Sequence, residues 1–264
     1  MRVSGAWIDA PATQAVCAML VEAGHAACFV GGCVRNALIG ACVDDIDIAT
    51  DARPDRVIAL AGAAGLRAVP TGIAHGTVTV ISGGTGHEIT TFRRDAETFG
   101  RHAAVVYADR IEEDAARRDF TMNALYARPD GTVLDPLGGL PDLLARRVRF
   151  VGDPAARIVE DYLRILRFFL FHAWYGEAAG GIDGPGLEAC AAHAEGLEKL
   201  SRERIGAEVR KMLGAPDPGA ALVAMEGAGV LGRVLPGASA AAFARLQARD
   251  PAPRWLRRLA VLGV

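Results

Sequence analysis

Apolar and polar positions follow two different periods along this chain, and the change from one to the other divides it. Apolar side chains recur at helical spacing over residues 12–24, and again in "PDRVIALAGAAG", where Pro54 stands near the start and Gly65 at the end of a predicted helix. Between them "ACFVGG" at 27–32 predicts a short strand, "VRNALIG" a helix closing on Gly40, and "DIDIAT" a second strand. "LRAVPTG", "GTVTVIS" and "HEITTFR" are three more strands, the last two forming a hairpin with Gly83 to Gly86 as its turn. Residues 94–110 are polar and aperiodic, which predicts a mobile loop. Beyond it "IEEDAARRDFTMNALYA" reads as helix and "DGTVLDPLGG" as a turn-rich excursion. From about 155 nearly everything reads as helix, punctuated by Pro216, Pro218, Pro236, Pro251 and Pro253. A small mixed sheet with helices is therefore expected first, then an all-helical part, with the change near 145–150.

Composition adds boundaries to this picture. A chain of 264 residues with 51% hydrophobic and 23% charged residues buries a core of one or two domains. No apolar run approaches the roughly 18 residues of a membrane span. "MRVSGAWIDAP" lacks the apolar stretch of a secretory signal, because Asp9 and Pro11 come too early. A cytoplasmic protein without membrane association is expected. The five cysteines are odd in number and hold no Cys-x-x-Cys pair, so they suggest neither a disulfide framework nor a zinc site. A net charge of −2 speaks against a broadly basic surface. Of the 29 basic residues only Lys199 and Lys211 are lysines. The bias to arginine has two readings, a GC-rich genome or a need for bidentate phosphate partners.

The candidate chemistry lies early. Gly31 and Gly32 stand at a strand-to-helix turn, where bare N–H groups and the helix N-terminus favour an anion. Arg35 in the following helix adds a guanidinium fork. About ten residues later Asp45 and Asp47 fall on one face of a strand, where two carboxylates repel unless a cation sits between them. Hard oxygen ligands together with substrate phosphates are a usual Mg²⁺ environment. Two such ions activate an attacking hydroxyl and stabilise leaving pyrophosphate. The competing reading of Asp44, Asp45 and Asp47 is a solvated acidic edge that deters aggregation.

"GGCVRNALIG…DDIDIAT" resembles the signature of the class II tRNA nucleotidyltransferase and bacterial poly(A) polymerase family: Gly-Gly-x-x-Arg-Asp, a spacer, then Asp-x-Asp. "TGIAHGTVTV", "EITTFRRD", "EEDAARRDFTMNALYA", "DPLGGLPDL" and "EDYLRILRFF" are similar to the family's later motifs, in the family's order, over roughly residues 27–175. The resemblance implies an α+β fold. Residues 1–147 form a polymerase-beta-like nucleotidyltransferase head, and 148–264 an all-helical neck and partial body that binds the nucleotide base and RNA. It implies that Asp45 and Asp47 are catalytic and hold Mg²⁺, that Gly32 and Arg35 contact the nucleotide phosphates, and that Arg118 binds the nucleotide. Glu88 is either a third carboxylate or a satisfied edge glutamate.

At about 100° per residue, Arg157, Glu160, Asp161, Arg164 and Arg167 fall in one stripe of a single helix. Read alone, this is a run of i,i+4 pairs, Arg157–Asp161 and Glu160–Arg164, on a helix whose flanking positions are almost all apolar. The resemblance implies that Asp161 and Arg164 hydrogen-bond the base edges of incoming CTP and ATP, and that Arg167 also lines the nucleotide site. An aspartate accepts from the exocyclic amine that C and A share, and uracil and guanine leave such groups unpaired.

Three positions depart from the family. Leu170 stands where an arginine is common, Asn36 replaces the aspartate after Arg35, and the chain ends at Val264 where relatives continue into helices that grip tRNA. Part of the body and tail is then absent, or the chain is short by nature. "LSRERIGAEVRKML" at 200–213 carries Arg202, Arg204, Arg210 and Lys211 on an amphipathic helix, either a solvated face or a tRNA phosphate contact. The expected activity is addition of CMP and AMP from CTP and ATP to the 3′ end of tRNA. The alternatives are a poly(A) polymerase, a partial adder restricted to CC or A, and, in another class, a non-catalytic RNA-binding relative.

Overall fold

The computed structural model describes residues 1–94, 106–177, 180–247 and 254–262. It separates into two compact units, Met1–Leu143 and Leu144–Val264.

The first unit is built on a seven-stranded sheet in the order β3-β4-β5-β2-β1-β8-β9. Its strands are β1 (Cys28–Val30), β2 (Asp47–Thr50), β3 (Arg67–Gly72), β4 (Thr77–Ser82), β5 (Thr85–Thr91), β8 (Tyr126–Ala127) and β9 (Val133–Leu134). A separate two-stranded ribbon pairs β6 (Arg93–Arg94) with β7 (Val106–Tyr107). The helices are α1 (Ala6–Asp9), α2 (Pro11–Glu22), α3 (Gly32–Leu38), α4 (Pro54–Ala63), α5 (Ile111–Ala116) and α6 (Leu140–Leu144). Strand β4 alternates between half-buried and buried residues, as a sheet covered on one face requires. Val78 and Val80 point into a core with Val16 and Leu20 of α2, Val57 and Ala61 of α4, Ile48 and Ile89. The hairpin turn is tighter than its glycines suggest. Ser82 pairs with Thr85, so Gly83 and Gly84, both at positive φ, make the whole turn. Every pairing in the sheet is antiparallel except β2 with β5, and that exception sets Asp47 directly opposite Glu88.

Two sequence expectations change here. "IEEDAARRDFTMNALYA" is not one helix: α5 ends at Ala116, a 3₁₀ turn covers Thr121–Asn123, and Tyr126–Ala127 becomes a strand against β1. The β-pairing of Tyr126, which is fully buried, outweighs the helical pattern. Of the predicted 94–110 loop, residues 95–105 lie outside the described residues, and Val106–Tyr107 is strand.

The second unit contains α7 (Pro154–Glu160), α8 (Leu163–Tyr175), α9 (Gly184–Ala192), α10 (Arg202–Leu213), α11 (Gly219–Gly227), α12 (Leu231–Val234), α13 (Ala240–Gln247) and α14 (Trp255–Val261). Helix α8 is its centre. Ile165, Leu166, Phe168, Phe169 and Leu170 are buried, and Phe168 stacks on Phe150 at 5.4 Å. Each such aromatic contributes about 1.5–3 kcal/mol through burial. Helix starts carry conventional caps: Asp153 accepts from the Ala156 N–H at 2.7 Å, Asp183 from Gly186 at 3.0 Å and Ser201 from Arg204 at 3.3 Å. At the far end of α10, the buried Arg258 donates to the carbonyls of Leu213, Ala215 and Pro216, groups a helix terminus leaves unsatisfied. Among the described residues no helix is long and apolar enough to cross a membrane.

Candidate active site

In the first unit the site begins where β1 runs into α3. Gly31 caps the helix with φ 70° and ψ −120°, a conformation that residues with a Cβ rarely adopt. A Cβ at Gly31 would also come within 3.4 Å of Arg118 Nη1. The turn is thus both a helix N-terminus and the resting place of a guanidinium. Gly32 opens the helix. Arg35 sits one turn further on and its side chain is buried, donating through Nη1 to Asn123 Oδ1 at 2.6 Å and through Nη2 to Asn36 Oδ1 at 2.8 Å. Asn123 in turn donates to Asp119 at 2.9 Å.

Asp47 opens β2, but Asp45 does not share the strand as predicted: it lies in the segment before it, where no regular structure forms. Asp44, Asp45, Asp47 and Glu88 line a cavity of about 470 Å³, with Thr79 and Thr85. Burial raises the Asp47 carboxyl above its ordinary range; the neighbouring Glu88 and Asp45 raise it further, and Arg118 opposes them. Such crowding of carboxylates is relieved by a cation. The donor set, all hard oxygen, fits a divalent ion. Among the described residues no group of three or more His, Cys, Asp or Glu side chains is placed to hold a metal ion. An ion that retains waters and substrate phosphates in its shell requires no such group.

Arg118 is held by a buried hub. Asp114, 1% exposed, accepts from Arg118 Nη2 at 2.9 Å, from Arg117 at 2.7 Å and from the Tyr126 hydroxyl at 2.7 Å. Burial would push its carboxyl up, but the two arginines and the phenol hold it below the usual range. Arg118 Nε also donates to the Tyr126 oxygen at 3.1 Å, and the guanidinium lies over that ring. Asp114 and Asn123 are positioning residues that the linear reading missed. The i+3 and i+4 spacing of Arg117 and Arg118 from Asp114 was the available signal.

In the second unit the predicted stripe is not one helix. The chain breaks at Asp161, whose backbone is extended (φ −151°, ψ 106°) between α7 and α8. Arg157 consequently pairs with Glu160 at 2.7 Å instead of with Asp161. The expected Glu160–Arg164 pair forms, and Arg164 Nη1 also donates to the Arg157 carbonyl at 2.7 Å. Asp161 takes two new tasks. It accepts the Leu163 N–H at 3.1 Å at the start of α8, and Arg204 Nη2 of α10 donates to its other oxygen at 2.8 Å. Arg167 lies over the Phe171 ring. Leu170 is buried in the core, so the polar stripe ends before it. The basic face of α10 is divided: Arg204 serves Asp161, Lys211 pairs with Glu208 at 3.0 Å, and Arg210 lies over Trp255. The five cysteines are free, and four of them are buried.

Residues 27–149 match the poly A polymerase head domain, and residues 182–242 match the "Probable RNA and SrmB- binding site of polymerase A". The chain belongs to the tRNA nucleotidyltransferase and poly(A) polymerase family. It is 42% identical over 196 residues to the human mitochondrial CCA tRNA nucleotidyltransferase 1, covering 74% of this chain and 45% of that protein. With the CCA-adding enzyme of Levilactobacillus brevis it shares 43% identity over 199 residues, 75% of this chain and 48% of the relative. The fold matches the Bacillus stearothermophilus CCA-adding enzyme in complex with CTP at TM-score 0.81 and 32% identity, covering 96% of this chain and 63% of that one. The chain thus spans about half the length of the two relatives compared in sequence.

Proposed function

We propose that this chain adds CMP and AMP from CTP and ATP to the 3′ end of tRNA, releasing pyrophosphate, with Mg²⁺ as cofactor. The observation that carries this reading is the convergence on one face of the head. Arg118 lies beside the Gly31 turn and within electrostatic reach of Asp47, so an anion seat adjoins the crowded carboxylates. Residues 1–147 act as the catalytic head, and 148–264 as the helical neck and partial body that reads the base and binds RNA. The matches of residues 27–149 to the head domain and of 182–242 to the probable RNA-binding site support this division.

In this reading Asp45 and Asp47 would hold Mg²⁺, while Glu88 lines the same cavity and adds negative charge beside Asp47 without completing a three-carboxylate metal site. The bound ion supplies positive charge to the phosphates and lowers the proton affinity of the attacking hydroxyl. The N–H groups at Gly32 and the guanidinium of Arg118 orient the triphosphate so that the tRNA 3′-oxygen lies in line with the α-phosphorus. That P–O bond forms as the bond to the bridging oxygen of the β-phosphate breaks. Arg118, its charge enforced by Asp114, offsets the negative charge gathering on pyrophosphate. Arg35 is turned inward to Asn36 and Asn123, so it supports the turn from below as well as carrying positive charge toward the phosphates. Asp161, Arg164 and Arg167 are, in this reading, the residues of the second unit that recognise the base. The break before α8 presents the Asp161 carboxylate from the head of a helix instead of from its flank. A reducing, cytoplasmic setting agrees with five unpaired cysteines.

The test offers tRNA trimmed to its discriminator base, with Mg²⁺ and CTP, ATP or both, and resolves products at single-nucleotide length beside Asp45→Ala. Three added residues requiring both nucleotides, absent in Asp45→Ala, are expected. Arrest after CC, or A added only to a CC end, identifies a partial adder, and a long A tail identifies a poly(A) polymerase. An inert wild type that still binds tRNA identifies a non-catalytic binder.

A further inference from the structure

Asn36 stands between two groups with opposite requirements. The Arg35 guanidinium can only donate, and its Nε and Nη2 reach Asn36 Oδ1 at 3.1 and 2.8 Å. The Cys42 carbonyl can only accept, and Asn36 Nδ2 donates to it at 2.7 Å. The main-chain carbonyl of Asn36 also accepts from the Ala41 N–H at 2.9 Å, closing the turn through Gly40, which has φ 71°. One residue therefore ties α3 to Ala41 and Cys42, at the start of the segment that follows it. That segment carries Asp44 and Asp45 and enters β2 at Asp47.

Of the side chains of this size only an amide satisfies both partners. An aspartate serves Arg35 with added charge, but presents a second acceptor to the Cys42 carbonyl and releases it. We propose that Asn36 is a positioning residue that couples Arg35 to the Asp45 loop, and that this coupling is why an amide occupies a position where the family pattern has aspartate. The proposal rests on the reading of Asp45 and Asp47 as metal carboxylates. It also separates from a purely electrostatic effect by sign. A carboxylate introduced near the site tightens cation binding through charge, whereas loss of the tether weakens it by letting the loop wander.

The experiment uses the full chain and its Asn36→Asp and Asn36→Ala variants. Mn²⁺ affinity is read by electron paramagnetic resonance, and loop order by hydrogen exchange of the amides at 41–46. Both variants are expected to bind Mn²⁺ about fivefold more weakly, the equivalent of one hydrogen bond of about 1 kcal/mol. Exchange at 41–46 should quicken, with the melting temperature close to wild type. If Asn36→Asp binds Mn²⁺ as tightly as wild type or more tightly, with unchanged exchange, the proposal is overturned. The same holds if Asn36→Ala leaves both readouts unmoved. Should either variant fail to fold, the other decides. A wild-type chain that takes up no Mn²⁺ would sink the metal reading itself, and exchange at 41–46 would still decide whether the tether exists.

Discussion

Arg118 of the head and Arg204 of the helical unit are held in different ways. In the head, Arg118 is 18% exposed and anchored on Asp114, which is 1% exposed and shared with Arg117 and Tyr126. In the helical unit, Asp161 and Arg204 are 38% and 48% exposed in their side chains and meet through one contact. A buried, multiply bonded ion pair has one geometry and a large penalty for losing a member. A half-exposed pair is screened, worth little, and exchanges partners readily. The contrast matches the two proposed tasks. A triphosphate is the same in CTP and ATP, so its seat gains from being fixed. The base edge differs between the two nucleotides, so its readers gain from a partner such as Arg204 that yields to an incoming base.

The largest effect should come from breaking the hub. Asp114→Ala leaves Arg118 and Arg117 buried without their carboxylate, and we expect a loss of about 3–5 kcal/mol in denaturant unfolding of the head. Nucleotide addition should fall even where the protein remains folded. A smaller change of opposite sign is expected at the carboxylate cavity. Because the folded Asp47 carboxyl titrates above its unfolded range, the folded state binds more protons there, and stability falls as pH rises through that interval. Asp47→Asn should therefore raise metal-free stability at pH 7, with no gain near pH 3, while abolishing nucleotide addition. Thermal melts across pH read the first effect and extension of trimmed tRNA the second. A destabilised Asp47→Asn at neutral pH would show that carboxylate crowding does not govern this edge. The smallest stability effect belongs to Arg204→Ala, at most about 0.5–1 kcal/mol. Its activity signature should be a change in the KM ratio of CTP to ATP with kcat nearly unaltered. Equal changes for both nucleotides would mark the pair as merely structural.

Much of the head was legible because its signals are local. The strand-to-helix turn at Gly31–Gly32, the β4 strand and the place of the hairpin turn, though not its two-residue length, each follow from a few adjacent residues. The helical unit's aromatic core was equally visible in the apolar positions of α8. Asp161 was misplaced for a reason of the same kind. A periodic stripe predicts a continuous helix, and nothing in "VEDYLR" announces that the chain turns extended for one residue. The break appears where the Asp161 carboxylate gains the Leu163 N–H and the Arg204 guanidinium, the latter 43 residues away.

By itself the sequence determined the order of the main elements from α2 to β5, the apolar composition of both cores and the residue types expected around a phosphate. These depend on burial of apolar surface and on short-range backbone preferences, which a single stretch of chain expresses. Only the tertiary structure decided which groups share charge and hydrogen bonds. It placed Asp47 opposite Glu88 through the parallel β2–β5 pairing. It joined Arg35 to Asn123 across 88 residues and set Asn36 between Arg35 and Cys42. Electrostatic and hydrogen-bonding partners act through distances of a few ångströms, and along the chain no spacing rule says which distant residue will stand that close.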